Sequence, residues 1–349
     1  MMKVKINAHT IKQAAFTMVC LFLLGKAEAQ DISKKANAFL QTLSQELKEK
    51  TLFTLEDEER YNMNYVPMPR EGVTFHDFDE TQKRAALDLL KACLSKQGYE
   101  KTLEIRSLEN VLRTIENDDN DKMPDGRPRR DPLNYHFCIF GTPSPTEVWG
   151  WRFEGHHISL NFTSDDGKIV SATPTFLGSN PGIVKEGDSR GKQVLKKESM
   201  LGFALVNSLT ADQLKIAKFS EEAPPEIITA NHREAGDIEK EGIAYGKLDQ
   251  AQKKTFMKLL QVYVGNYIFD FSETLMAKIE KAGIENLHFA WAGSLKEGKA
   301  HYYRIHGPML LIEFDNTQND ANHMHTAVRD LTNDFAEDIL KRHYEMEHR

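Results

Sequence analysis

Eight of the thirteen histidines, His136, His156, His157, His288, His301, His306, His323 and His325, crowd into two stretches and the tail after the second. Imidazole serves near neutral pH as acid, base or metal ligand. Here it keeps company with carboxylates and guanidinium groups. Glu313 and Asp315 precede His323-Met324-His325, and carboxylate with imidazole is the donor set for zinc or non-haem iron. The expected ligand pool is His156, His157, Glu313, His323 and His325, of which three or four suffice. If Trp151 to Phe162 is one strand, alternation places Arg152, Glu154 and His156 on one face and His157, Ser159 and Asn161 on the other. Glu154 and His306 are then the acid-base candidates, with Arg152 and Arg304 orienting an anionic group or the carboxylates. A plainer reading makes these pairs structural Arg-carboxylate contacts and the tail an Asn- and His-rich loop. No His-Glu-x-x-His signature decides between them. His136 and His288 read as buried, hydrogen-bonded strand residues.

The elements that must position these residues read as two copies. Asn134 to Phe162 aligns without a gap on Asn286 to Phe314, matching Asn134, His136, Phe137, Gly141, Arg152, Gly155 and Phe162 with Asn286, His288, Phe289, Gly293, Arg304, Gly307 and Phe314. Chance would give about two identities at this length, so the match predicts an internal duplication. Asp79/Gln82, Thr210/Gln213 and Asp249/Gln252 each have capping-box spacing and predict helix starts. Each copy then predicts two extended runs around a turn, Tyr135 to Phe140 with Trp149 to Phe162, and Leu287 to Trp291 with His301 to Phe314. Gly155 and Gly307 suggest bulges. Thr173 to Gly182 reads as a turn or loop, Asn117 to Pro132 as an insertion, and Asn333 to Tyr344 as a closing helix capped by Asn333.

The expected fold is α+β: duplicated helix-plus-β-hairpin units forming a mainly antiparallel sheet with outer helices. Residues 30–349 are expected to be one integrated domain, with repeats at about 78–182 and 247–345 joined by a helical segment at 190–220. Residues 1–29 have the form of a signal peptide, with Lys3, Lys5 and Lys12 before an apolar run and Ala27-Glu28-Ala29 at its end. Removing them moves the formal charge from -7 to -10, because four lysines leave with one glutamate. An acidic product argues against nucleic acid as a partner. No later segment is apolar for long enough to span a membrane. The product is expected to be exported, periplasmic or extracellular. There Cys93 and Cys138 could pair, or simply be buried.

The segments WGWRFEGHHISLNFT, TPTFLGSNPG, YYRIHGPMLLIEFDNTQNDANHMH and RDLTNDFAEDILKRHY resemble hallmark blocks of an uncharacterised family, domain of unknown function 3500. The resemblance runs from about Asp79 to Tyr344. It implies that these polar blocks characterise the group, and it assigns no reaction, cofactor or catalytic residue. From the residues themselves, the expected function is a secreted metal-dependent enzyme, a hydrolase, holding a divalent transition metal such as zinc or iron. The alternative is a non-catalytic envelope protein that binds a small molecule or glycan by stacking it on Trp149, Trp151, Tyr302 and Tyr303.

Overall fold

The computed structural model describes residues 32–116, 121–124, 126–236 and 238–338. The expected signal peptide lies outside them. Helices α1 (Ile32–Thr42) and α2 (Gln45–Thr51) lead to strands β1 (Leu52–Phe53) and β2 (Val73–Thr74). Then come α3 (Glu80–Cys93), α4 (Lys96–Glu116), β3 (His136–Phe140), β4 (Trp149–Gly155), β5 (Ile158–Asp165), β6 (Lys168–Ser171) and β7 (Thr175–Ser179). The chain continues through α5 (Lys196–Val206), α6 (Ala211–Ala217), β8 (Lys218–Ser220), β9 (Ile243–Ala244), α7 (Gln250–Val264) and α8 (Phe269–Gly283). It ends in β10 (His288–Gly293), β11 (His301–His306), β12 (Leu310–Thr317) and β13 (His323–Asp330). The three capping boxes form as the sequence requires, and α3, α6 and α7 start at them.

All the strands belong to one sheet, in the order β1-β3-β4-β5-β7-β13-β12-β11-β10-β8, with β2 on β3, β6 on β5 and β9 on β10. The pairs are antiparallel except β1 with β3 and β8 with β10. The molecule is thus mixed α/β around a large, mainly antiparallel sheet.

Alternation gives this sheet two different faces. Trp151, Phe153, Leu160, Phe162, Tyr303, Ile305, Ile312 and Phe314 join the helices in one large apolar core. Arg152, Glu154, Arg304, Glu313, Asp315, His325 and Arg329 occupy the alternate positions and are just as buried. Segments covering that face answer several of them, where Glu59 reaches Arg152, Arg70 reaches Glu154, Glu226 reaches His325, Thr229 reaches Glu313 and Glu241 reaches Arg304.

Several expectations are corrected. Trp149 to Phe162 is not one strand: β4 and β5 form a hairpin turning at His156-His157, and His157 has φ +63°. Gly155 sits at the end of β4 because an added Cβ would lie 2.4 Å from the Tyr135 ring. The hairpin pairs Arg152 with Asn161 and Glu154 with Ser159, so all four share one face. His301 to Phe314 likewise divides into β11 and β12 around Gly307. Thr173 to Gly182 contains β7, which lies mid-sheet between β5 and β13. Its flanking Pro174 and Pro181 stand outside the strand and remove no ladder bond from it.

Cys93 and Cys138 are free and buried. Asp334–Ala336 forms a short 3-10 turn without a side-chain cap from Asn333, and residues beyond 338 lie outside those described. Trp149, Trp151, Tyr302 and Tyr303 are no more than 2 % exposed, so none presents a ring to a ligand.

Candidate metal centre

The β4–β5 turn and the start of β13 meet at the middle of the sheet. β7 runs between them and has Gly178 where the His157 ring passes; a Cβ there would come within 2.8 Å of His157 Cδ2. The backbone clamps the same point, with Gly178 N donating to His157 O at 2.8 Å and His157 N to Tyr65 O at 2.9 Å. This packing brings His157 Nε2 to 2.7 Å from His323 Nε2, which lies 2.9 Å from His325 Nε2. The centre therefore joins residues 166 positions apart in the chain.

On its other side, His325 Nδ1 lies 2.6 and 2.8 Å from the two Glu226 carboxylate oxygens. A carboxylate behind a ligating histidine fixes its tautomer and raises its basicity. Tyr65 and Phe176 stack at 3.7 Å between ring centroids, and each meets the His325 ring edge to face.

Proton counting explains what these nitrogens suit. A neutral imidazole carries one N–H and one lone pair. With His325 donating from Nδ1 to Glu226, its Nε2 is a lone pair, and His323 Nε2 must bring the proton between them. His323 then has none left for His157, and a second N–H from His157 would face the first. One close contact is mismatched in every neutral tautomer, whereas a cation is served by all three lone pairs. Burial, reinforced by the neighbouring histidines, holds His157 well below its ordinary pKa and pushes His323 down to about 3. Both therefore remain neutral, with lone pairs available, across the physiological range.

The remaining pool members are placed differently. His156 stacks on His157 with centroids 3.8 Å apart, but its Nδ1 turns to Glu109 at 2.6 Å. Arg130, from the loop after α4, lies 3.3 Å from the His156 ring nitrogens and pairs with Glu116 at 2.6 Å. Glu313 accepts hydrogen bonds from Ile228 N at 2.6 Å and Tyr302 Oη at 2.8 Å, and from Thr229. It anchors the segment that carries Glu226. Its strand neighbour Asp315 lies nearer the centre: Glu226, Asp315 and His325 offer ligand atoms within 4.8 Å of one another, as do His157, His323 and His325. These buried groups could hold a metal ion. Burial, with Glu226 beside it, pushes Asp315 up to about 8.

Glu154 and His306 do not meet. β4 and β11 are five strand spacings apart in the sheet order, about 24 Å along it. Glu154 pairs with Arg70 at 3.0 Å and accepts from Asn64 N and Ser159 Oγ. Arg152 holds Glu59 and the Asn62 carbonyl. Arg304 holds Glu241 and the Glu239 carbonyl, and His306 Nε2 lies 2.6 Å from Glu241 O. All four bond to segments that cover the sheet. His136 is buried and bonded to Glu71 O and Asn134 as expected, whereas His288 is only half-buried.

Residues 25–337 match the family described as "Protein of unknown function (DUF3500)". The chain belongs to that family. No curated protein and no solved structure matches it. The matched span of this DUF3500 protein includes every residue of the centre: His157, Glu226, Asp315, His323 and His325. Glu226, Glu109 and Arg130 were not among the expected site residues, and Asp315 stood outside the expected ligand pool. Glu226 follows Pro224-Pro225 in an irregular segment, where no periodicity marks it.

Proposed function

We propose that this DUF3500 protein is an exported metal-dependent hydrolase whose ligands are Nε2 of His157, His323 and His325. The convergence of three buried imidazole nitrogens, with Glu226 behind one of them, carries the reading. Three neutral imidazoles suit zinc or ferrous iron and leave coordination positions open. A metal there would supply Lewis acidity and an activated water. Glu226 orients His325 and strengthens it as a donor. Asp315, the cross-strand neighbour of His325, is the carboxyl group nearest the centre besides Glu226. The partial exposure of His323 supports an approach of substrate from its side.

The export reading rests on the form of residues 1–29 and predicts a mature N-terminus at Gln30. We also infer that the two halves descend from one unit. Supporting this, β3-β4-β5-β7 and β10-β11-β12-β13 run inward to adjacent strands. Matched positions also pair alike, Cys138 with Arg152 and Ala290 with Arg304.

The test is hydrolysis of ester, amide and phosphoester reporter substrates by untagged protein. Activity should vanish with a chelator and return with zinc or ferrous iron. Activity that survives chelation, or that persists in His323→Ala/His325→Ala, would rule the assignment out.

A further inference from the structure

His325 presents both ring nitrogens to possible ligand partners. Its Nε2 belongs to the three-histidine cluster, while its Nδ1 faces Glu226. Beside them Asp315, fully buried, is the cross-strand partner of His325. Its Oδ2 accepts from the Thr317 hydroxyl at 3.1 Å, and its Oδ1 is buried with no hydrogen-bond partner. Glu226 accepts from Ile227 N at 2.8 Å and Gln318 Nε2 at 3.3 Å. Two carboxylates thus stand within 4.8 Å of each other and of an imidazole nitrogen, and one of their oxygens lacks any donor. A buried oxygen in that state is costly unless a proton or a cation serves it.

We propose that Glu226, Asp315 and His325 Nδ1 form a second divalent-cation site, with the His325 ring bridging it to the three-histidine site. The inference rests on the three-histidine reading for its first metal. When both sites fill, the Nδ1 proton of His325 would leave to solvent, so that both ring nitrogens and both carboxylates can coordinate. Two oxygens and one nitrogen make a harder donor set than three imidazoles. The second site should therefore accept manganese more readily than the first.

Zinc counted by mass spectrometry on untagged protein, after loading and dialysis, tests this. Two ions per wild-type chain are expected, falling to one in Asp315→Asn and in Glu226→Gln. One zinc per wild-type chain overturns the second site and leaves the first standing, whereas none overturns both. Two that persist in both variants place the second ion elsewhere and overturn the assignment. Should a variant fail to fold, anomalous scattering from zinc-loaded wild-type crystals decides: a peak between Asp315 and His325 Nδ1 supports the site, and its absence refutes it.

Discussion

Glu226 illustrates how a residue acts through another. Its carboxylate holds the His325 ring by Nδ1, so Glu226→Gln should cost about 10- to 100-fold in metal affinity, a typical loss for an outer carboxylate partner. Competition with a chromogenic chelator measures this, and unchanged affinity would count against the assignment. The candidate ligands on β13 were legible because His323 and His325 are two residues apart in an extended run, which aims them alike. His157 was legible as a candidate, but its face was not, since Gly155-His156-His157 carries no strong hairpin signature to end the strand. Glu313 was misplaced for a different reason. A carboxylate on the right face can be consumed by backbone donors, here Ile228 and Thr229, that belong to a segment far away in sequence.

At the level of elements, the buried charges fasten loops onto the polar face of the sheet. Glu154 meets Arg70 with both side chains almost fully buried, so Glu154→Ala strands a guanidinium and should destabilise the protein by about 3–5 kcal/mol. Denaturant unfolding tests this. A variant that kept its full stability would contradict it. Gly178 makes the complementary case on β7. Gly178→Ala pushes a Cβ against the His157 ring and should weaken metal binding by about tenfold or more. Capping boxes and the outer strands were readable because their signals are local. β7 was not, since its proline-rich flanks outweighed Phe176 and Leu177, and its central place depends on pairing with β13 about 150 residues later.

For the whole molecule, burial of imidazoles sets the response to acid. His136, His301 and His306 stand apart from the centre, and burial pushes each down to about 4. Between pH 4 and their ordinary 6.5 the unfolded chain binds more protons than the folded one. Stability should therefore fall as pH drops through that window, by about 1.4 kcal/mol per unit for each group. Asp334, raised to about 6, and Asp315, raised to about 8, act in the opposite sense, costing stability as pH rises from 3.8 to those values. The histidines prevail in the acidic window, so metal-free protein should be most stable near pH 6.5. Urea unfolding at pH 5, 6.5 and 8 checks this, and a profile highest at pH 5 would contradict it. The repeated motifs led to the expectation of one mainly antiparallel sheet, which the structure has, but they did not show where it is joined, because the join between β7 and β13 pairs strands far apart in the chain. The most direct test of the central claim is the transition-metal content of untagged wild-type protein beside His323→Ala/His325→Ala. The three-nitrogen centre predicts bound metal in the first and none held by the second; a metal-free wild type, or equal metal in both, would contradict it.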